Sequence, residues 1–383
     1  MRIFYVTDIR PDPTSVQTVH VDEVCKQFVK DGHIVTVFIP GSSSHLGDTP
    51  YKTRYFHVPA FGTTVWFQFR LLYTLLVPLR KNIPDLLYAR HSLLLIVPFL
   101  VSRWYGIPLV LEVNGKLLEE TCSRKNSVIG TILLHLGIYR WFESLNMKNA
   151  TTIVCVTDGI RDYVVEKYAI KDARCHVVHN GVNPDLFVPH DRHDSRALLN
   201  LPDDAFYVGY VGSFFAWQGL RYVAEAARML ATEHPKIKFV ITGAGDDKTW
   251  LMKFIKQHHL EQTLILRPAV TRSVVPLYIT SFDICLCVPT RFREGSTSPF
   301  KIYEYLACSK AVIASDIAGM REEFADLVEY VEPESARALA ECIVRLRADA
   351  KRIKLLGEVG RKTIVRNHTW KVTVQKILAH VTY

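Results

Sequence analysis

Along the chain, short and nearly continuous hydrophobic runs alternate with stretches in which hydrophobic residues recur with helical spacing. Residues 2–7 predict a first strand, and residues 17–30 predict an amphipathic helix that Gly32 ends. The same pattern predicts further strands at 34–39, 86–88, 109–113, 153–156, 207–211, 239–242, 264–266, 284–288 and 311–314. Strands that are apolar along their whole length belong to parallel sheets covered by helices on both faces. The sequence therefore predicts an α/β protein with doubly wound sheets.

The predicted strands fall into two groups, separated by a polar segment with two prolines at 183–189. A chain of 383 residues also exceeds the usual size of a single hydrophobic core. We therefore predict two Rossmann-like domains, at 1–185 and 186–365, followed by a terminal helix within 366–383.

The charged residues and the cysteines narrow the functional classes. Lys and Arg total 47 against 38 Asp and Glu, and the net charge of +9 is shared almost evenly by the two halves. Neither half is therefore a basic nucleic-acid-binding arm, and the charge suits an anionic substrate or a phospholipid surface. The eight cysteines form no C-x-x-C pair and no cluster with zinc spacing. This usage predicts buried thiols, a reducing compartment and no metal site.

Two apolar segments at first resemble a signal peptide and a membrane span. The first run ends at Asp8, which is typical of a strand. The segment 93–113 contains Pro98, Arg103 and Gly106, which divide it into a helix and a strand. We therefore expect a cytoplasmic protein.

The candidate chemistry follows the strands of the second group. In doubly wound folds, ligands bind beyond the carboxyl ends of the strands, where helix N-termini present unpaired N–H groups. Gly212-Ser213 and Gly243-Ala244-Gly245 are two turns in this position.

The segment 296–304 is a third such turn and the most informative one. Ser298 suits an N-cap and Pro299 suits the first helical position, which places Lys301 and Glu304 on one face of the opening turns. A cation beside unpaired N–H groups suits a pyrophosphate, and a carboxylate one turn deeper suits a ribose diol. The same residues also fit a well-capped helix with a surface Lys–Glu pair, and the sequence leaves both interpretations open.

Six short motifs follow one another along the chain. They are Gly32-His33-Ile34-Val35, Asn180-Gly181-Val182, Trp217-Gln218-Gly219-Leu220, Gly243-Ala244-Gly245, Ser298-Pro299-x-Lys301-x-x-Glu304-Tyr305 and Ala314-Ser315-Asp316. In this order and spacing they resemble the retaining glycosyltransferases of family four, above all a subset with an SPxKxxEY motif. The resemblance implies the GT-B fold, with a terminal helix that crosses back to the first domain, and Trp370 is similar to the aromatic residue at that crossing.

The resemblance also implies roles for residues of the second domain. Glu304 matches the second glutamate of a Glu-x7-Glu motif that holds the nucleotide ribose, but Ser296 occupies the position of the first. Glu294 lies two residues before that position and would replace the missing glutamate only if the loop has a different conformation. The remaining donor contacts implied by the resemblance are Gly212, Gly243, Thr297, Ser298, Pro299 and Phe300.

Two phosphate-binding cations of many relatives are missing. Their positions hold Ser213 and Gln218, which are retained here as candidate donor contacts. Lys301 is then the principal candidate for a catalytic cation, and Arg267 is a further candidate.

In the first domain, the segment 111–115 resembles the EVNxP segment of the subset. It implies catalytic contacts by Glu112 and by Asn114, which replaces a sugar-contacting histidine of other relatives. Glu112 also fits a surface acid at a strand end. His20 is a plausible acceptor contact or a solvated helix residue.

The resemblance implies hexosyl transfer from a UDP- or GDP-linked sugar with retention of configuration, without a protein nucleophile, a cofactor or a metal. The acceptor implied is a sugar, either a lipid-linked or a polysaccharide precursor. Residues 64–81 combine aromatic, aliphatic and basic side chains, which predicts contact with an anionic membrane surface. The surface expected is the inner face of the membrane. Residues 128–142 are also apolar, and we favour a core helix there.

Three other functions fit parts of the sequence. A nucleotide-sugar epimerase of the same fold would act on the donor without an acceptor. A non-catalytic nucleotide-sugar-binding protein would explain Ser296 and Gln218. A dinucleotide oxidoreductase would use Gly243-x-Gly245, but position 248 holds Lys248 instead of the third glycine.

Overall fold

The computed structural model describes residues 1–12, 15–42, 49–59, 63–76, 83–122 and 136–381. The chain forms two compact units, Met1–His179 with Trp370–Tyr383, and Asn180–Thr369. The boundaries expected from the sequence are residues 185 and 365. Parts of the predicted helices 64–81 and 128–142 lie outside the described residues.

The strands and helices alternate along both units. The strands are β1 Arg2–Val6, β2 Ile34–Pro40, β3 Lys52–Phe56, β4 Leu86–Arg90, β5 Leu109–Val113, β6 Thr152–Cys155, β7 Cys175–Val177, β8 Phe206–Ser213, β9 Ile237–Ala244, β10 Leu264–Arg267, β11 Ile284–Cys287, β12 Ala311–Ser315 and β13 Glu329–Val331. The helices are α1 Val16–Lys30, α2 Thr63–Leu76, α3 Val97–Tyr105, α4 Leu117–Cys122, α5 Ile138–Asn149, α6 Asp158–Tyr168, α7 Arg192–Leu198, α8 Leu220–Leu230, α9 Lys248–Gln257, α10 Val275–Ser281, α11 Phe300–Ala307, α12 Met320–Phe324, α13 Ala336–Ala348, α14 Ala350–Asn367 and α15 Trp370–Ala379.

In the described part of the first unit, seven parallel strands form one sheet in the order β3-β2-β1-β4-β5-β6-β7. Ile3 of β1 pairs with Val35 of β2 on one side and with Leu86 of β4 on the other, and all three side chains are buried. Helix α15 packs against α1, so the last helix of the chain belongs to this unit.

In the second unit, six parallel strands form a sheet in the order β10-β9-β8-β11-β12-β13. The chain first builds outward from β8 through β9 to β10, and then crosses to the other side of β8 to form β11. The strand order therefore reverses between β8 and β11, which is the topological switch point at which such sheets bind ligands.

The apolar segment 93–113 divides as predicted into helix α3 and strand β5. Gly106 ends α3 in the left-handed conformation, with a φ of 65°. Among the described residues, no helix is long and apolar enough to cross a membrane.

The prediction of two doubly wound parallel sheets is confirmed, and every predicted strand is present. Three strands were not predicted, and each lies at an edge of its sheet, namely β3, β7 and β13. Each of these three strands has one neighbour and is partly exposed, and its sequence lacks the continuous apolar run on which the prediction rests. The fourth edge strand, β10, keeps such a run at 264–266 and was predicted.

Candidate active site

The reversal of strand order places the segment 296–304 at a ligand-binding position of the second unit. Strand β8 ends at Ser213 and β11 at Cys287, and the chain then runs into helix α11, which begins at Phe300. Because the strands are parallel, these carboxyl ends share one edge of the sheet. The N-terminal end of a helix carries a partial positive charge, so the start of α11 can stabilise an anion at this edge.

The loop before α11 is held by three side chains, two of which are distant from it in sequence. Ser298 was predicted to cap the helix, but the capping position belongs to Pro299, and that prediction is wrong by one residue. The Ser298 hydroxyl instead donates to Oε1 of the buried Glu323 at 2.8 Å and lies 3.1 Å from the Tyr303 hydroxyl. The Ser298 carbonyl accepts from Nδ2 of the buried Asn180 at 3.0 Å. A hydrogen bond to a carboxylate is stronger than one between two neutral groups, so the bond to Glu323 restricts the loop.

Lys301 lies at the start of α11 and is bound by two neutral acceptors. Its ammonium donates to the Tyr210 hydroxyl at 2.9 Å and to Oε1 of Gln218 at 2.7 Å, and it lies 4.1 Å from the centre of the Tyr210 ring. Burial lowers the pKa of Lys301 to about 8, against the opposing charges of Cys287 and Glu304. Neither hydrogen-bond partner carries a negative charge, so the ammonium can bind an anion.

Glu304 lies one turn deeper in α11 and is paired with an arginine rather than with Lys301. Its Oε1 accepts from Nη1 of Arg272 at 2.8 Å, and the Glu304 residue is only 8 % exposed. The guanidinium also lies 4.9 Å from the centre of the buried Phe187 ring. The interpretation of Lys301 and Glu304 as a surface ion pair is therefore wrong. Arg272 was not selected from the sequence, because it lies in the loop between β10 and α10 and belongs to none of the motifs.

Two glycines are explained by close packing at this edge of the sheet. A Cβ on Gly243 would lie 1.8 Å from the carbonyl oxygen of Gly212, which no residue but glycine allows. A Cβ on Gly212 would lie 3.1 Å from Nζ of Lys301, so the missing side chain leaves room for the ammonium. Gly243 thus has a packing role that requires no ligand.

The other predicted residues of the second unit are placed as follows. The Ser213 carbonyl accepts from the Tyr210 hydroxyl at 2.7 Å. Ser296 is buried and donates to the Arg293 carbonyl at 3.2 Å. Glu294 is exposed, and its carboxylate accepts from the Ala318 N–H at 3.4 Å. Thr297, Ser298 and Pro299 of the loop and Phe300 at the start of α11 are all half-buried.

Arg267 is directed to a different part of the unit. Its guanidinium donates to the Leu199 carbonyl at 3.2 Å, at the end of α7. The arginine that reaches α11 is Arg272. The structure therefore brings together Gly212, Gln218, Lys301 and Glu304, and it gives Arg267 and Glu294 other partners.

The polar cluster of the first unit is centred on Glu112, which is 1 % exposed at the end of β5. Its carboxylate lies 2.7 Å from Nε2 of His20 and 3.3 Å from Nη1 of Arg90, and it also accepts from the Tyr88 hydroxyl and the Asn114 amide. Burial raises the pKa of Glu112, but the charges and hydrogen bonds of these neighbours outweigh it and bring the pKa down to about 2.

Two interpretations of this region are corrected by burial. Glu112 is not a surface acid, and His20 is not a solvated helix residue, because both are buried. The His20 ring packs edge-on against Trp370 of α15, with 5.2 Å between the ring centres. Sequence alone did not indicate this, because Trp370 is separated from His20 by almost the whole chain.

Two family models match the chain, one in each half. The model "Glycosyltransferase Family 4" matches residues 17–186, and "Glycosyl transferases group 1" matches residues 191–363. The alpha-maltose-1-phosphate synthase of Mycolicibacterium smegmatis is 27 % identical over 73 % of this chain and 74 % of its own length. The UDP-Gal:alpha-D-GlcNAc-diphosphoundecaprenol alpha-1,3-galactosyltransferase of Escherichia coli is 23 % identical over 85 % of this chain and 83 % of its own.

A solved structure gives the same result for the fold. The Anabaena protein HepE, crystallised with UDP and glucose, superposes with a TM-score of 0.78 over 99 % of this chain and 98 % of its own, at 16 % identity. The two doubly wound units thus form a GT-B fold, and the protein is a glycosyltransferase. It is of the family-four type, since the two family models together span nearly the whole chain.

Proposed function

We propose that this glycosyltransferase moves a hexosyl group from a UDP- or GDP-linked sugar to a hydroxyl of its acceptor, with retention of configuration. The observation that carries the proposal is the Lys301 ammonium, which is held by two neutral acceptors at the start of α11. The donor class is supported by the galactosyltransferase named above, which uses UDP-galactose according to its name, and by the structure of HepE with UDP.

The chemistry requires stabilisation of the charge that develops on the departing diphosphate. The Lys301 ammonium and the positive end of the α11 dipole supply fixed positive charge for this, and one fixed donor typically contributes about 3–4 kcal/mol. In a same-face reaction the departing phosphate oxygen accepts the proton of the attacking hydroxyl, so the protein supplies no nucleophile. We expect no metal requirement, and within the described ranges no three His, Cys, Asp or Glu residues are grouped as metal ligands.

The donor proposal is tested by binding and transfer assays with a panel of UDP- and GDP-sugars. We expect one nucleotide to bind, its sugar to be transferred with retention, and Glu304→Ala to weaken binding. Transfer that persists in a chelator supports metal independence. Conversion of the donor sugar without an acceptor would favour an epimerase, and binding without any turnover would favour a non-catalytic protein.

We also propose that the acceptor is a lipid-linked or polysaccharide precursor reached at an anionic membrane surface. Helices α2 and α3 pack together, and the Gln68 side chain accepts from the Val97 N–H at 3.0 Å. Together they expose four aromatic side chains, and their only charged residues are two exposed arginines. These residues are Trp66, Phe69, Tyr73, Trp104, Arg70 and Arg103. Aromatic rings beside arginines suit the headgroup region of a bilayer.

Flotation with vesicles tests the membrane proposal. We expect the protein to float with phosphatidylglycerol-containing vesicles at low salt and to be released by high salt. The double variant Trp66→Ser, Phe69→Ser is expected to float less, whereas Leu198→Ser, at a residue of α7 that is 71 % exposed, serves as the matched control. A protein that stays at the bottom of the gradient at low salt contradicts the proposal.

A further inference from the structure

The ion pair between Arg272 and Glu304 uses only one of the two carboxylate oxygens. Nη1 of Arg272 donates to Oε1 at 2.8 Å. Among the described residues, none makes a hydrogen bond to Oε2. The carboxylate is thus half satisfied by the protein, and Oε2 is available to a hydroxyl donor.

The arginine is itself held in place by its surroundings. Its guanidinium packs over the Phe187 ring, whose centre is 4.9 Å away, and Phe187 is fully buried. The side chain of Arg272 is 24 % exposed and that of Glu304 is 11 % exposed, so the pair is partly shielded from water. Stacking and a charged hydrogen bond together restrict the guanidinium, and through it the plane of the carboxylate.

A carboxylate on a long side chain needs such restraint to recognise a diol. Glu304 has three side-chain torsions, and fixing them costs conformational entropy. If the folded protein already fixes them, this cost is not incurred when the ligand binds. When one oxygen is already bound to a rigid cation, the direction of the other oxygen is set before the ligand arrives. Pre-organisation of this kind increases affinity mainly by reducing the cost of binding.

We propose that Arg272 is a positioning residue that orients Glu304 toward the ribose hydroxyls of the donor, and so makes the site selective for ribonucleotides over deoxyribonucleotides. This inference rests on the proposed function, because it assumes that a nucleotide binds at α11. Arg272 acts through Glu304 and does not contact the reacting atoms.

The test is a comparison of affinities for nucleotides that differ in one hydroxyl. The dissociation constants of UDP or GDP, whichever binds the full chain, are measured by calorimetry beside those of the 2′-deoxy and 3′-deoxy analogues. A hydrogen bond to a charged group predicts that the wild-type protein binds the ribonucleotide roughly ten- to a hundredfold more tightly than at least one analogue. In Arg272→Gln we expect this ratio to fall to below about threefold, and in Arg272→Lys we expect a partial recovery.

Matched variants separate positioning from a general effect on folding. Arg267→Gln removes an arginine of the same unit that binds the Leu199 carbonyl, and we expect it to leave the ratio unchanged. In a Glu304→Gln background, Arg272→Gln is expected to produce little further loss of selectivity. Circular dichroism and thermal unfolding show whether each variant is folded.

Each outcome decides one question. A loss of affinity in Arg272→Gln that is equal for ribonucleotide and deoxy analogues overturns the inference, because a merely structural arginine would act that way. A wild-type protein that binds a nucleotide without any preference for ribose overturns it as well, and leaves the proposed transfer reaction intact. Failure of the wild-type protein to bind either UDP or GDP overturns the proposed function itself.

Discussion

Two buried glutamates, one in each unit, illustrate opposite uses of a carboxylate. Glu112 is surrounded by His20, Arg90, Tyr88 and Asn114, which together satisfy both of its oxygens. Among the described residues, only Arg272 binds the Glu304 carboxylate, and it does so through one oxygen. Burial alone therefore does not distinguish a structural acid from a binding acid. Under the proposed function, the two carboxylates differ in the number of donors that the protein itself supplies.

The cations of the two units differ in the same way. Arg90 is paired with a carboxylate of its own unit, whereas Lys301 is held by a hydroxyl and an amide oxygen that leave its charge uncompensated at short range. A buried charge without a counter-charge is costly, and proteins retain it mainly where a ligand supplies the opposite charge. Under the proposed function, the Lys301 charge at α11 is directed at the donor, whereas the charges of the Glu112 cluster are balanced within their own unit.

The largest expected effect is on catalysis, from removal of the Lys301 ammonium. In Lys301→Ala we expect kcat/KM for sugar transfer to fall roughly 100- to 1,000-fold, because a fixed donor to the departing phosphate is lost. Steady-state assays with the best donor measure this fall. Lys253→Ala, at an exposed residue of α9, is the control and should retain activity. A change in Lys301→Ala below about threefold would contradict the assignment of Lys301 to the donor site.

The next effect is on stability and belongs to the first unit. Glu112→Ala leaves Arg90 and His20 facing a buried site without their acceptor, and we expect a loss of about 3 kcal/mol in the free energy of unfolding. Glu304→Ala should cost less, about 1 kcal/mol, because its partner Arg272 is closer to water. Urea denaturation compares the two variants. Equal losses would remove the distinction between a structural and a binding carboxylate.

The pKa of Lys301 predicts how donor affinity depends on pH. Burial lowers this pKa to about 8, so the ammonium is charged below pH 8 and loses its proton above it. We therefore expect the affinity for a nucleoside-diphosphate sugar, whose phosphate charge does not change in this range, to be constant below about pH 7 and to fall by up to about tenfold per pH unit above 8. Calorimetry at several pH values measures the decline. In Lys301→Arg the charge persists at all of these pH values, so a decline of the same size in that variant would show that another group is responsible.

The sequence predicted the interior of the fold far better than its edges. Strand β11 is apolar throughout, and β4 and β5 are apolar except for Arg90 and Glu112, because both faces of these strands are covered; all three were found from the hydrophobic pattern alone. The edge strand β3 alternates between exposed and covered positions and was missed. The short strands β7 and β13 were missed for the same reason, since partly exposed edges need no continuous apolar run.

The candidate site shows the same limit at the level of side chains. Gly212, Lys301 and Glu304 lie in short motifs, so their types and spacing were sufficient to select them. Their partners were not predictable in the same way, because Tyr210 is 91 residues from Lys301 and Arg272 is 32 residues from Glu304. Only the folded sheet brings those elements to one edge. The interpretation of Lys301 and Glu304 as a pair with each other failed for this reason, since each has a better partner from another strand or loop.

The smallest expected effect concerns the space that Gly212 leaves beside Lys301. A Cβ at this position would lie 3.1 Å from Nζ of Lys301, so we expect Gly212→Ala to displace the ammonium by a few tenths of an ångström and to weaken nucleotide binding about threefold. Gly32→Ala is the matched control, because Gly32 also has a positive φ but no atom lies within 4 Å of its missing Cβ. Both variants should lose about 1 kcal/mol of stability from the strained backbone, and only Gly212→Ala should lose affinity. If both variants lose stability and neither loses affinity, then Gly212 is required only for the backbone conformation of β8. The position of the Lys301 ammonium would then not depend on the absence of a side chain at residue 212.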